Sequence, residues 1–140
     1  MMLSEIDILE VFFKLIKGSE LASMINGSVY RVPRPLNSEK EDVVISLLSA
    51  DMGQIQRFSI NVNIYVPDIK RGKEFIYDED RVRPLMRAGL NLLEHGHAAM
   101  TTNGKEYGIL YKLESQKLFE VKGTNFHAIN HKIEVEVSTE

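Results

Sequence analysis

Four histidines are the first residues of this 140-residue chain to test for chemistry: His95 and His97 in "HGH", and His127 and His131 in "HAINH". A His-x-His pair on a strand points both rings to one side, and with a third ligand such a pair can hold zinc. His127 and His131 would share a helix face at i, i+4, but the alternating residues after them argue for a strand, where they share a side and stand far apart. No carboxylate stands at a matching spacing and no His-Glu-x-x-His helix is present. The histidines are therefore read as helix-end and strand-surface residues, with no metal and no other cofactor expected.

The other candidate motifs dissolve in the same way. "YDED", residues 77–80, lacks the alternating oxygen ligands and glycine turn of a calcium loop, and an apolar helix begins there instead. "MTTNGKEYG", residues 100–108, holds Thr101, Thr102 and Lys105 near a glycine but not the order or strand-then-helix setting of a phosphate loop; Asn103-Gly104 reads as a hairpin turn. The absence of cysteine excludes disulfides, thiolate metal sites and cysteine nucleophiles, and leaves the redox compartment undetermined. Spacing alone supports no Ser-His-Asp arrangement, because the order of those residues varies between folds. No catalytic residue is assigned, and the chain is read as a non-enzyme.

Two basic clusters remain. Arg31 and Arg34 flank Val32-Pro33, and Lys70, Arg71 and Lys73 crowd the loop after a regular strand. Each cluster is either a solvated loop or a contact with an acidic partner surface. A net charge of −3 provides no broad field for phosphate backbones, so no specific nucleic-acid partner is expected.

The elements that must position these residues belong to one domain, 1–140, with 44% hydrophobic and 26% charged residues. The start "MMLSEIDILE" has neither a basic lead nor a small-residue cleavage site, and no stretch reaches the ~20 apolar residues that span a bilayer, so a soluble protein with an intracellular default is expected. Apolar residues at 3, 6, 9, 12, 13 and 16 mark a helix capped by Ser4 and stopped at Gly18. Ser19 caps a short second turn, and "SVYRVPRPL" follows as a proline-limited edge strand. "VVISLLSA" reads as a strand covered in part on each side, and a hairpin over 50–55 leads to a strict period of two at Phe58, Ile60, Val62, Ile64 and Val66.

Pro67 ends that strand, and a loop of about ten residues leads to a helix from Asp78 to about His95, with Pro84 at its first position or at a kink and Gly96 as its stop. Its predicted buried face is Val82, Leu85, Met86, Gly89, Leu90 and Leu93. "EYGILYKLE", a turn at "SQ", "KLFEV" and "AINHKIEVEVS" complete the chain as strands. The order predicts an α+β fold: a mostly antiparallel sheet with two main helices packed on one face.

The sequence "INGSVYRVPRP", then "EDVVISLLSADMGQIQRFSINVNIYVPD", then "VRPLMRAGLNLLE" and closing strands resembles the tail-completion or tail-terminator proteins of long-tailed phages and prophages. The resemblance covers about Ile6 to Val137 and is one of pattern and order; the loop from Pro67 to Tyr77 and the stretch 95–103 depart from it. It implies a structural protein that closes into a ring, commonly of six copies, on the tail tube and joins it to the neck. The protein would then sit in the cytoplasm during assembly and afterwards in the virion tail. Arg31, Arg34, Lys70, Arg71 and Lys73 become subunit or tail-tube contacts on this reading. A neck or head-completion protein, a small histidine-based metal-binding domain or enzyme, and an adaptor that pairs strands through an exposed edge stay open as alternatives.

Overall fold

Ser4 fixes the start of the first helix. Its Oγ accepts from the Asp7 N–H at 3.2 Å while the Asp7 carboxylate accepts from the Ser4 N–H at 2.8 Å, a reciprocal capping box. In the computed structural model, which describes residues 2–139, α1 runs Glu5–Lys17 and α2 Glu20–Met24. Ile8, Phe12 and Ile16 are fully buried, with Leu9 and Val11 beside them. Ile6, predicted on the buried stripe, is 67% exposed, because it lies about 120° round the helix from Phe12.

The strands are β1 (Val29–Tyr30), β2 (Asp42–Met52), β3 (Gln56–Pro67), β4 (Ile69–Arg71), β5 (Glu74–Ile76), β6 (His95–Thr102), β7 (Lys105–Val121) and β8 (Phe126–Thr139), with α3 (Glu79–Leu93) before β6. The larger sheet has the order β1-β2-β3-β8-β7-β6, and β4-β5 form a separate two-stranded sheet. The fold is α+β and the larger sheet is mixed: β1 runs parallel to β2, and its other pairings are antiparallel. Pro33 and Pro35 explain this: the chain cannot continue β1 as a strand, and it loops back to enter β2 in the same direction.

β3 sits at the centre and obeys its period of two. Phe58, Ile60, Val62, Ile64 and Val66 are buried, while Asn61 and Asn63 are half-buried on the other side, where Asn130 Nδ2 donates to Asn61 at 3.1 Å and Asn63 at 2.7 Å. β2 is covered only in its first half: Val43 and Ile45 are buried, and Leu48, beside a bulge, is exposed. The two main helices address different strands of the sheet. α1 contacts β1, β2 and β6, whereas α3 contacts β3, β7 and β8.

Three further expectations are corrected. α3 ends at Leu93 and Gly96 lies inside β6, because a Cβ at residue 96 would fall on the Tyr111 hydroxyl of β7. Ser115-Gln116 makes no turn: β7 continues through a bulge between Leu113 and Ser115 that absorbs the extra residue. The segment after Pro67 is no open loop but the β4–β5 hairpin. Pro84 stands inside α3, whose buried residues are Val82, Leu85, Gly89 and Leu93. Among the described residues, no helix is long and apolar enough to cross a membrane.

Candidate assembly surface

The β4–β5 hairpin forms an arm at the end of β3. Pro67 ends β3, and Gly72 then turns the chain with a φ of 62°, the conformation that glycine supplies at the first position of a two-residue hairpin turn. Ile69 pairs with Ile76, Lys70 with Phe75 and Arg71 with Glu74. Lys70, Arg71 and Lys73 are all exposed, and Arg71 meets Glu74 at 3.2 Å. Phe75 is 47% exposed and Ile69 nearly as much.

A two-stranded hairpin is marginal by itself and needs an anchor. Here the anchor is Asp68, whose N–H donates to the Asn125 carbonyl at 2.9 Å and whose carboxylate meets His127 Nδ1 at 2.6 Å. Tyr77, on the far side of the arm, places its ring edge-on to His127 with centroids 5.6 Å apart. The arm thus leaves the sheet on a fixed base, and a cleft of about 470 Å³ lined by Arg71, Phe75, Tyr77 and His127 lies beneath it.

The other two predicted contact residues part ways. Arg31 is exposed, with its guanidinium 5.1 Å from the Phe13 ring. Arg34 is consumed internally: it pairs with Asp42 at 3.0 Å, donates to the Ser38 and Lys40 carbonyls at 3.3 and 3.1 Å, and lies 4.5 Å from the centroids of both Tyr65 and Phe126. It braces the loop between β1 and β2 against the sheet.

Sequence reasoning missed a second brace. Arg81 of α3 holds Glu41 with two bonds of 2.7 and 2.8 Å and donates to the Met24 carbonyl at 2.8 Å. The hydrogen bond to Glu41 is the main reason that the Arg81 pKa rises above its ordinary value. Glu41 is only 4% exposed, although it stands in a stretch that reads as a polar loop. The local signal was the pair Glu41-Asp42 placed directly before an apolar strand.

The histidines are dispersed. His95 and His97 are exposed on β6, over a cleft of about 690 Å³ that also holds Arg57, Leu110 and Glu134. His127 anchors the arm, and His131 is fully buried. The Val62 carbonyl, 3.1 Å from His131 Nδ1, can only accept, so Nδ1 carries the proton and Nε2 accepts from Gln116 at 2.8 Å. Burial pushes the His131 pKa below its ordinary value, against the opposing pull of its backbone hydrogen bonds. Among the described residues, no three His, Asp or Glu side chains gather in a way that could hold a metal ion.

No protein-family model and no curated protein matches the chain. Among solved structures, it is similar to a chain from the virion of a native gene transfer agent (GTA) particle, with a TM-score of 0.52 and 13% identity over 95% of each chain. The likeness is one of fold. It spans both the β-sheet and the helices, since so little of either chain lies outside it.

Proposed function

We propose that the chain is a structural protein of a phage-like particle, and that it caps the tail tube and joins it to the neck by closing into a ring. The observation that carries this reading is the fold shared, along 95% of the chain, with a component of a gene transfer agent virion. The order of elements, which resembles tail-terminator proteins, supports the finer assignment. The basic arm supports it too: a ring component needs shape, edges and charge where an enzyme needs a nucleophile and a base. Ring closure requires head-to-tail interfaces, in which two different surfaces of one chain meet on neighbouring copies. Lys70, Arg71 and Lys73 supply one such surface, and Arg31 lies on a separate exposed segment. The partners are further copies of the chain, six in the ring to be tested first, with the tail tube and neck proteins. The protein would assemble in the cytoplasm and remain in the virion tail.

The test is light scattering across protein concentration, with binding to isolated tail tubes followed by electron microscopy. Ring-shaped multimers, free or seated on tube ends, are the expected result. A protein that stays monomeric throughout and ignores tubes overturns the reading.

A further inference from the structure

β3 joins two unlike surfaces. At its C-terminal end the arm, residues 69–76, carries three cations against one glutamate, with Ile69 and Phe75 exposed. At its N-terminal end, the turn between β2 and β3 lies against the start of α1. Gln56 joins the two: its Nε2 donates to the Leu3 carbonyl at 2.9 Å, its Oε1 accepts from the Leu3 N–H at 3.0 Å, and Met52 Sδ lies 3.0 Å from the same Nε2. This brings Met2, Ile6, Met52 and Ile55 to one end of the molecule, all of them exposed. The segments 2–7 and 50–56 that carry them hold Glu5, Asp7 and Asp51, and the neighbouring cation Arg57, opposite Asp51 across the β2–β3 ladder, pairs with Glu136 at 3.7 Å.

An apolar, basic surface and an apolar, acidic surface therefore stand at opposite ends of one strand. β3 has 12 residues, which at about 3.3 Å each separates its ends by roughly 35–40 Å. The arm is anchored at its base by Asp68 and His127, so it cannot reach the acidic end of its own chain. Only another copy can bring the two together. We propose that the arm of one copy docks on the acidic end of the next through the face that carries Phe75 and its cross-strand partner Lys70, with Phe75 against Ile6 and Ile55, and Lys70 and Lys73 facing Glu5 and Asp51. The inference rests on the ring reading and names its interface. Such a contact is heterologous, the kind that repeats from copy to copy until a ring closes. The fixed base of the arm and the Gln56 clasp hold both surfaces in place, so little ordering is needed on docking.

The chain has no cysteine, so Lys73→Cys and Asp51→Cys each create a single thiol. The two variants, mixed and oxidised at concentrations where scattering detects multimers, should form mixed cross-linked dimers in about tenfold excess over either symmetric dimer, the bias expected of a charge-matched contact. A chain carrying both substitutions should give a ladder of cross-linked multimers. Charge reversal in the arm (Lys70→Glu, Arg71→Glu, Lys73→Glu) should weaken assembly at low salt, and adding Glu5→Lys with Asp51→Lys to that chain should restore it. Multimers that persist while Lys73→Cys and Asp51→Cys stay unlinked, or that link mainly as symmetric dimers, overturn this docking and leave the ring reading standing. Monomers at every concentration and on tail tubes overturn both.

Discussion

Gly89 of α3 lies directly against the imidazole of His131 in β8, and a Cβ at residue 89 would fall on that ring. His131 cannot swing away, because Val62 and Gln116 hold its two nitrogens. In an exposed helix Gly→Ala stabilises by about 1 kcal/mol, but overpacking a fixed core costs about 1–3 kcal/mol, so the clash wins here. Gly89→Ala should lower stability to chemical denaturation. In a His131→Ala background the same change should be neutral or favourable, and equal costs in both backgrounds would remove the contact from the account.

His131 also gives folding a pH dependence. Its native pKa is depressed by burial, so the native state binds this proton less tightly than the unfolded chain does. The stabilising effect is complete above the ordinary histidine value near 6.5 and is lost progressively as the pH falls from there toward the native value. Denaturant midpoints measured from pH 8 down to pH 5 should fall more steeply for the wild type than for His131→Gln. Parallel slopes would show that this histidine does not titrate on unfolding.

The Arg81–Glu41 pair should matter more than any exposed ion pair. Removing one partner of a fully buried pair costs about 3–5 kcal/mol, and because Arg81 is 40% exposed we expect about 2–3 kcal/mol for Arg81→Ala. Arg81→Lys should recover only part of this, since an ammonium cannot reproduce the two-pronged bond to Glu41 and the bond to Met24 together. Thermal unfolding of the two variants measures the difference.

On β3, Ile60→Ala should cost about 2–5 kcal/mol as a cavity in the core. Asn61→Ala removes one acceptor for Asn130 on the half-buried side and should cost about 1 kcal/mol. Equal losses in urea unfolding would contradict the alternation that defines the strand.

Local rules carried the reading wherever neighbours in sequence decide the outcome. The helix cap at Ser4 and the period of two from Phe58 to Val66 are local, and both stand in the structure. Gly96 and Ser115-Gln116 misled because their roles are set from elsewhere: Tyr111 requires a glycine opposite it, and Gln116 is aimed at Met86 and His131. The arm was legible in "IKRGKEFI", where a glycine-led two-residue turn stands between two short runs, but the proline before it suggested a loop. Of the basic residues, Lys70, Arg71 and Lys73 lie exposed on that arm. No local pattern could show that Arg34 is enclosed by Tyr65 and Phe126, which lie 31 and 92 positions further along the chain.

The central claim is that this protein acts by assembling into a ring through its charged arm. The most direct measurement is light scattering of wild type and the Lys70→Glu, Arg71→Glu, Lys73→Glu variant, over a range of concentrations at low and high salt and with isolated tail tubes present. Charges at the rim of an interface act mainly on association rate and are screened within about 8–10 Å at physiological salt. The account predicts multimers or tube-bound rings for the wild type and weaker assembly for the variant, with the gap narrowing as salt rises. A wild type that remains monomeric and unbound under every condition would contradict it.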